Sequence, residues 1–233
     1  MNRSPLFLSI CLAGLNLASA DRAAAVILLS EDFSGGNGGF SESHTGVPTP
    51  GNEWTYNAGA GTWSTIGDDN LGTPTNSMLT SPSFVVPNGD PIQISFDHRY
   101  SFEDEWDGGA VLFAVNAGAF QRIDISAFSQ EGYRAFALLG NHDLTGLDGF
   151  NQDSAGFVTG AMVTSIAQIP GVAPGDSLQI QFLGAFDEFA GGANSPPTWE
   201  IDSVTVSTIP EPSSALLIVF GIAGISMRRR RSK

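Results

Sequence analysis

Between positions 92 and 102 apolar and polar residues alternate without a break. Ile92, Ile94, Phe96, His98, Tyr100 and Phe102 take one parity, and Gln93, Ser95, Asp97 and Arg99 take the other. Successive side chains of a strand point to opposite faces, so a period of two predicts a half-buried antiparallel strand and argues against a helix here. Leu178-Gln179-Ile180-Gln181-Phe182 repeats the pattern. Residues 110–115 are apolar on both parities, as in a central strand covered on both faces, and residues 199–206 close the set. Residues 84–86, 120–125 and 157–163 are further strand candidates. With 28 glycines and 13 prolines punctuating these runs and no long helical stripe between the termini, the pattern predicts an all-β chain of short strands. The expected architecture is an antiparallel β-sandwich, specifically a jelly roll. Two Gly/Asn/Thr-rich stretches, 35–61 and 140–153, are long enough to be functional loops.

The termini differ from this body. Asn2 and Arg3 precede an apolar segment over 6–17 and the small-residue triplet Ala18-Ser19-Ala20, with Ala23-Ala24-Ala25 a second candidate cut. This is the layout of a Sec signal peptide over 1–25, cleaved near 20 or 25. The single cysteine, Cys11, lies in its apolar segment behind Ile10, where a lipoprotein signal would need a small residue. The mature chain would then hold no thiol, which excludes disulfides, cysteine-ligated zinc and a cysteine nucleophile.

At the other end, Pro210, Glu211 and Pro212 precede an apolar run over 215–227 and the cluster Arg228, Arg229, Arg230 and Arg231. The prolines bar a helix, the run is greasy enough to enter a bilayer, and the arginines halt at cytoplasmic headgroups. The run is shorter than the roughly 20 residues of a self-sufficient span and contains Gly221 and Gly224, which disfavours a plain tail anchor. The order of parts resembles the PEP-CTERM sorting signal of Gram-negative envelope proteins. That resemblance implies export, retention at the inner membrane through a hydrophobic sorting helix, and a partner, the membrane protease exosortase, acting near Pro-Glu-Pro. The organisation expected is a signal peptide (1–25), a sandwich domain (26–208) and a sorting signal (209–233).

Charge narrows the partners. The formal net charge is −14, and six of the ten basic residues, Arg3, the four tail arginines and Lys233, belong to the two terminal signals. The body is therefore strongly acidic, which repels nucleic acid and anionic lipid and attracts divalent cations.

A second resemblance spans the body. Glu31-Asp32-Phe33, Leu79-Thr80-Ser81-Pro82, Ile94 through Tyr100, Trp106-Asp107-Gly108-Gly109-Ala110-Val111 and Trp199-Glu200-Ile201-Asp202-Ser203-Val204 occur in the order seen in "choice-of-anchor" domains. These are similar to concanavalin- and MAM-like jelly rolls. The resemblance implies an adhesion, carbohydrate-contacting or structural module at the cell surface or in the extracellular matrix. Asn116-Ala117-Gly118-Ala119 departs from the second Asp-Gly such domains often carry.

The chemistry on offer is carboxylate chemistry. Glu103, Asp104, Glu105 and Asp107 place four acids within five residues, a crowding that needs solvation or a cation. If first and last strands lie close, Glu31 or Asp32 would meet Asp202 at a sandwich edge, with Asp107 or Asp187 arriving from loops, so Asp32, Asp107, Asp187 and Asp202 are the candidate ligands. Oxygen-only ligands on loops suit Ca²⁺ rather than zinc, against the alternative of simple solvation. Trp54, Tyr56 and Trp63 lie in a polar, glycine-rich stretch able to stack on extracellular polysaccharide, the alternative being that they cap the core. A glycosidase would need Glu103, Glu105 and Asp107 to share one face of a strand, and the family pattern puts them in a loop. His44, His98 and His142 show no metal-binding spacing, and no nucleophile elbow, phosphate loop or dinucleotide fingerprint occurs. A non-enzymatic surface protein is the expectation, with a carbohydrate-binding module or glycosidase as the alternative.

Overall fold

The computed structural model describes residues 24–45, 53–65, 73–188 and 194–210. The expected signal peptide, apart from Ala24 and Ala25, lies outside these residues. So do Glu211, Pro212 and Arg228 to Arg231. Thirteen strands form among the described residues: β1 (Ile27–Glu31), β2 (Ser41–Thr45), β3 (Thr55–Asn57), β4 (Thr62–Thr65), β5 (Thr75–Thr80), β6 (Phe84–Val85), β7 (Ile92–Tyr100), β8 (Gly108–Val115), β9 (Gln121–Arg122), β10 (Phe128–Gln130), β11 (Val163–Ile169), β12 (Ser177–Phe186) and β13 (Trp199–Thr208). They make two antiparallel sheets. One runs β10-β11-β7-β13-β4-β3, with β1 also on β13, and the other runs β2-β5-β12-β8-β9, with β6 also on β12.

The alternation at 92–102 becomes the inner and outer faces of β7. Ile92, Ile94, Phe96 and His98 are buried while Gln93, Ser95, Asp97 and Arg99 are only partly covered. Phe96 and Phe182 meet edge-on at 5.2 Å and Phe182 meets Trp199 at 5.9 Å, so aromatic rings from both sheets interlock across the core. A fully buried phenylalanine of this kind contributes about 1.5–3 kcal/mol. Strand β8 is covered on both faces, as its unbroken apolar run predicts. Along its edge Tyr133 bonds both the amide and the carbonyl of Val111, and Phe150 exchanges hydrogen bonds with Gly109 in an isolated antiparallel bridge.

Three expectations are corrected. Residues 157–163 are not a strand: Phe157–Thr159 forms a 3-10 turn bracketed by Gly156 and Gly160, both in the left-handed region (φ 74° and 78°), and β11 begins only at Val163. Of 120–125 only Gln121–Arg122 is strand, because Asp124 accepts from the Ser126 amide and caps a second 3-10 turn. The stretch 35–61 is not one long loop but contains β2 and β3, whose polar sequences pair with β5 and β4. The stretch 140–153 does lack named strands, yet Leu144, Phe150 and Asn151 within it are buried, so it is a packed cover over β8.

Candidate functional site

The Asp-Gly-Gly element is explained by what touches its backbone. A Cβ on Gly108 would lie 2.4 Å from the Leu138 side chain, and one on Gly109 would lie 2.6 Å from the Trp199 indole, a rigid ring that cannot yield. Gly109 is thus required by the closeness of Trp199, and a Cβ on Gly108 would also lie 3.0 Å from the Phe150 carbonyl.

Asp107 is fully buried. Its Oδ1 accepts the Asp187 amide at 2.8 Å, joining the loop before β8 to the end of β12. Residues 103–107 form a turn in which the Asp107 amide bonds the Glu103 carbonyl at 3.2 Å and Glu105 takes a left-handed φ of 70°. Glu103 and Asp107 are thereby folded toward each other, and Asn151 locks the turn by donating to both their carbonyls at 3.0 and 2.8 Å. The result is that carboxylate oxygens of Glu103, Asp107 and Asp187 all lie within 4.8 Å of one another, the one such group of three or more acids, histidines or cysteines among the described residues. Two oxygens bound to one cation at 2.3–2.6 Å are at most about 5 Å apart, so this group can hold a metal ion. His142 borders it: the imidazole hydrogen-bonds the Trp106 carbonyl at 2.7 Å. Burial lowers the His142 pKa, opposed by that carbonyl and by the Asp187 and Asp143 charges.

The four carboxylates expected together separate into two places. Asp107 and Asp187 meet, joined by Glu103. Asp32 and Asp202 belong to the β1–β13 seam, where Asp202 is the extra residue of a bulge between Ile201 and Ser203. Its pKa is raised by desolvation first, then by Asp97, Glu200 and Asp32. Asp32 is engaged locally, accepting the Ser34 amide and hydroxyl at 3.0 and 2.8 Å, which lowers its pKa. Position in the fold is the physical reason for the split. Asp202 is carried by β13 beside β1, whereas Asp107 precedes β8 and Asp187 follows β12.

The aromatic set is likewise corrected. Trp54 is 2 % exposed and Trp63 6 %, so neither ring offers a face to a sugar. Trp54 donates to the Ser77 carbonyl and packs on Trp199 at 5.3 Å, while Trp63 donates to the Asn37 carbonyl. Half-buried Tyr56 gives its hydroxyl to the Phe33 carbonyl at 2.7 Å. Tyr56 and Trp63 pin the 33–37 turn, while Trp54 ties β5 to the core. The tryptophan that reaches solvent is Trp106, 43 % exposed.

His98 is a satisfied core residue. Trp199 Nε1 donates to its Nδ1 at 3.0 Å, so Nε2 carries the proton and donates to Ser165 Oγ at 2.8 Å, and the Ser165 hydroxyl donates to the Glu131 carbonyl. Burial holds this imidazole neutral, with a pKa of about 3. On the outer face of the same sheet Arg99 grips Glu200 through Nε at 2.6 Å and Nη2 at 2.5 Å, and stacks over Phe157 at 5.5 Å.

Among solved structures the body is distantly similar to two bacterial sandwiches. One is the K3 cleaved adhesin domain of Lys-gingipain from Porphyromonas gingivalis, at 16 % identity and a TM-score of 0.41, covering 78 % of this chain and 98 % of that one. The other is the CBM22-1 xylan-binding domain from Paenibacillus barcinonensis, at 13 % identity and a TM-score of 0.35, covering 81 % and 98 %. No curated protein matches the chain. The family model for the PEP-CTERM protein-sorting motif matches residues 208–231. That span takes in Pro210, Glu211, Pro212 and all four tail arginines. This chain therefore ends in a PEP-CTERM sorting motif, which implies export, processing by exosortase and sorting to the cell surface.

Proposed function

We propose that this protein is a non-enzymatic contact module, exported behind a cleaved signal peptide, held at the inner membrane by its tail and then displayed at the cell surface or in the extracellular matrix. The observation that carries the reading is the sorting motif at 208–231. It begins on the last hydrogen-bonded residues of the body, where the Thr208 amide bonds the Val26 carbonyl at 2.9 Å and the Ile209 amide bonds the Pro91 carbonyl at 2.7 Å.

A contact role is supported over hydrolysis by the turn at 103–107. A strand would have aligned Glu103, Glu105 and Asp107 on one face, whereas the left-handed Glu105 breaks that alignment. Glu103, Asp107 and Asp187 serve instead as an oxygen-only cradle, and the ion it would take is Ca²⁺. Bound there, a cation would clamp the β7–β8 loop to the end of β12.

In an exosortase-bearing host, Glu211→Ala and the fourfold Arg228–231→Ala variant should each accumulate as unprocessed or mislocalised precursor on immunoblots of cell fractions. Wild-type size and location in both variants would overturn the sorted-display reading.

A further inference from the structure

Strand β13 carries the chain from Trp199, paired with Tyr100, to Thr208, paired with Ile92, a run of ten residues or about 30 Å. The body's two chain exits lie together at the second end, where Val26 and Thr208 are hydrogen-bonded. The first end carries Trp106 and the cover loop. Here large apolar side chains reach solvent: Trp106, Leu139 at 51 % exposure, and Leu147. They stand on one hydrogen-bonded framework. The Leu139 amide bonds the Glu105 carbonyl at 2.9 Å, His142 holds the Trp106 carbonyl, and the Leu138 amide bonds the Leu147 carbonyl at 2.9 Å. Gly140 lies so near the Trp106 carbonyl that a Cβ would come within 2.5 Å of it. The indole is therefore presented on a pre-ordered base, which reduces the ordering cost of binding.

Its surroundings are anionic. Glu105 and Asp143 are exposed beside it, while Asp104 is exposed but paired with Arg134. The three arginines among the described residues are each committed to a carboxylate, Arg99 to Glu200, Arg122 to Asp148 and Arg134 to Asp104. An exposed aromatic with Glu105 and Asp143 beside it matches a ligand that combines the C–H face of a sugar ring with a positive charge.

We propose that the Trp106 end of the sandwich is a docking surface for a cationic amino-sugar polysaccharide, its pyranose rings stacking on Trp106 and its ammonium groups bonded by Glu105 and Asp143. The proposal rests on the surface-display reading and names the contact that display would serve. Charge complementarity selects amino sugars over neutral or acidic glycans, and the flat indole selects a sugar ring over a simple polycation.

The test uses the full-length protein in mild detergent and mildly acidic buffer, passed over chitosan, over fully N-acetylated chitin, and over polylysine. Retention on chitosan that weakens at high salt is expected, falling about tenfold in Trp106→Ala and severalfold in the Glu105→Gln, Asp143→Asn pair, with Val85→Ala at another exposed apolar position unchanged. Melting temperatures of all variants verify that the fold is kept. Equal retention on chitin, or polylysine binding as tight as chitosan binding and indifferent to Trp106→Ala, overturns the proposal, as does no retention at all. Antibody labelling of intact cells measures display separately, so normal display without chitosan retention defeats this inference alone.

Discussion

The sandwich carries two crowds of carboxylates with opposite characters. At the loop end Glu103, Asp107 and Asp187 converge inside a turn, with Asp107 buried and hydrogen-bonded to a backbone amide. On the outer face of the larger sheet, Asp202 sits at a bulge with Asp97, Glu200 and Asp32 around it, and the surplus is met by Arg99 and by Thr164 and Ser203 hydroxyls bonded to Asp97. In sequence both groups are acid-rich. Only the first aims several oxygens at one point, and the difference is made by backbone: a left-handed residue and an asparagine lock in one, an extended strand in the other.

Acid sharpens this contrast between buried and solvated groups most strongly, through His98. Its folded pKa of about 3 lies below the ordinary 6.5, so the native state refuses a proton that the unfolded chain accepts. Stability present above pH 6.5 is therefore lost as pH falls from 6.5 toward 3, by about 1.4 kcal/mol per pH unit. Chemical denaturation at several pH values should show that slope, and His98→Gln should flatten it. The same slope in both proteins would move the acid sensitivity to the carboxylates.

The metal comparison comes next in size. Ca²⁺ at a hundredfold its dissociation constant should stabilise the protein by about 2.7 kcal/mol. Asp107→Ala and Glu103→Gln should abolish the shift, while Glu200→Gln on the outer face should leave it intact. Asp107→Ala should also lower the baseline stability by about 1–3 kcal/mol, since it strands the Asp187 amide. A melting temperature indifferent to Ca²⁺ and to EDTA would erase the functional distinction between the two groups.

The smallest effect has the opposite sign. Asp202 is raised in pKa by desolvation and then by three like charges, so the fold bears a cost for its negative charge. Asp202→Asn should raise the melting temperature slightly, by no more than a few tenths of a kcal/mol after solvent screening. A loss of stability would mean that the outer carboxylates work as a ligand set after all.

Much of the fold is legible in the residues. The alternation of β7, the unbroken apolar run of β8 and the Trp-x-Ile-Asp of β13 each report their own burial, because a period of two needs no knowledge of the partner strand. Strands β2 and β5 are illegible for the complementary reason. Ser-Glu-Ser-His-Thr and Thr-Asn-Ser-Met-Leu-Thr have no apolar face and become strands only by pairing with each other and with β12, a hundred residues on from β5. The site divides in the same way. Asp107 and Asp187 stand out as acids in glycine-rich surroundings, and Glu103 lies in the same acidic run. Asn151, which closes the turn, carries no signal at all, and Trp54 and Trp106 look alike as tryptophans in polar stretches.

The residues alone determined the alternating strands, the excess negative charge and the sorting motif at the C-terminus, because each is written in neighbouring positions. Tertiary structure decided which carboxylates share a point and which tryptophan keeps a free face. Those outcomes depend on chain crossings between residues 36 to 145 positions apart, such as Trp106 with His142 and Trp54 with Trp199, and no local pattern encodes a crossing.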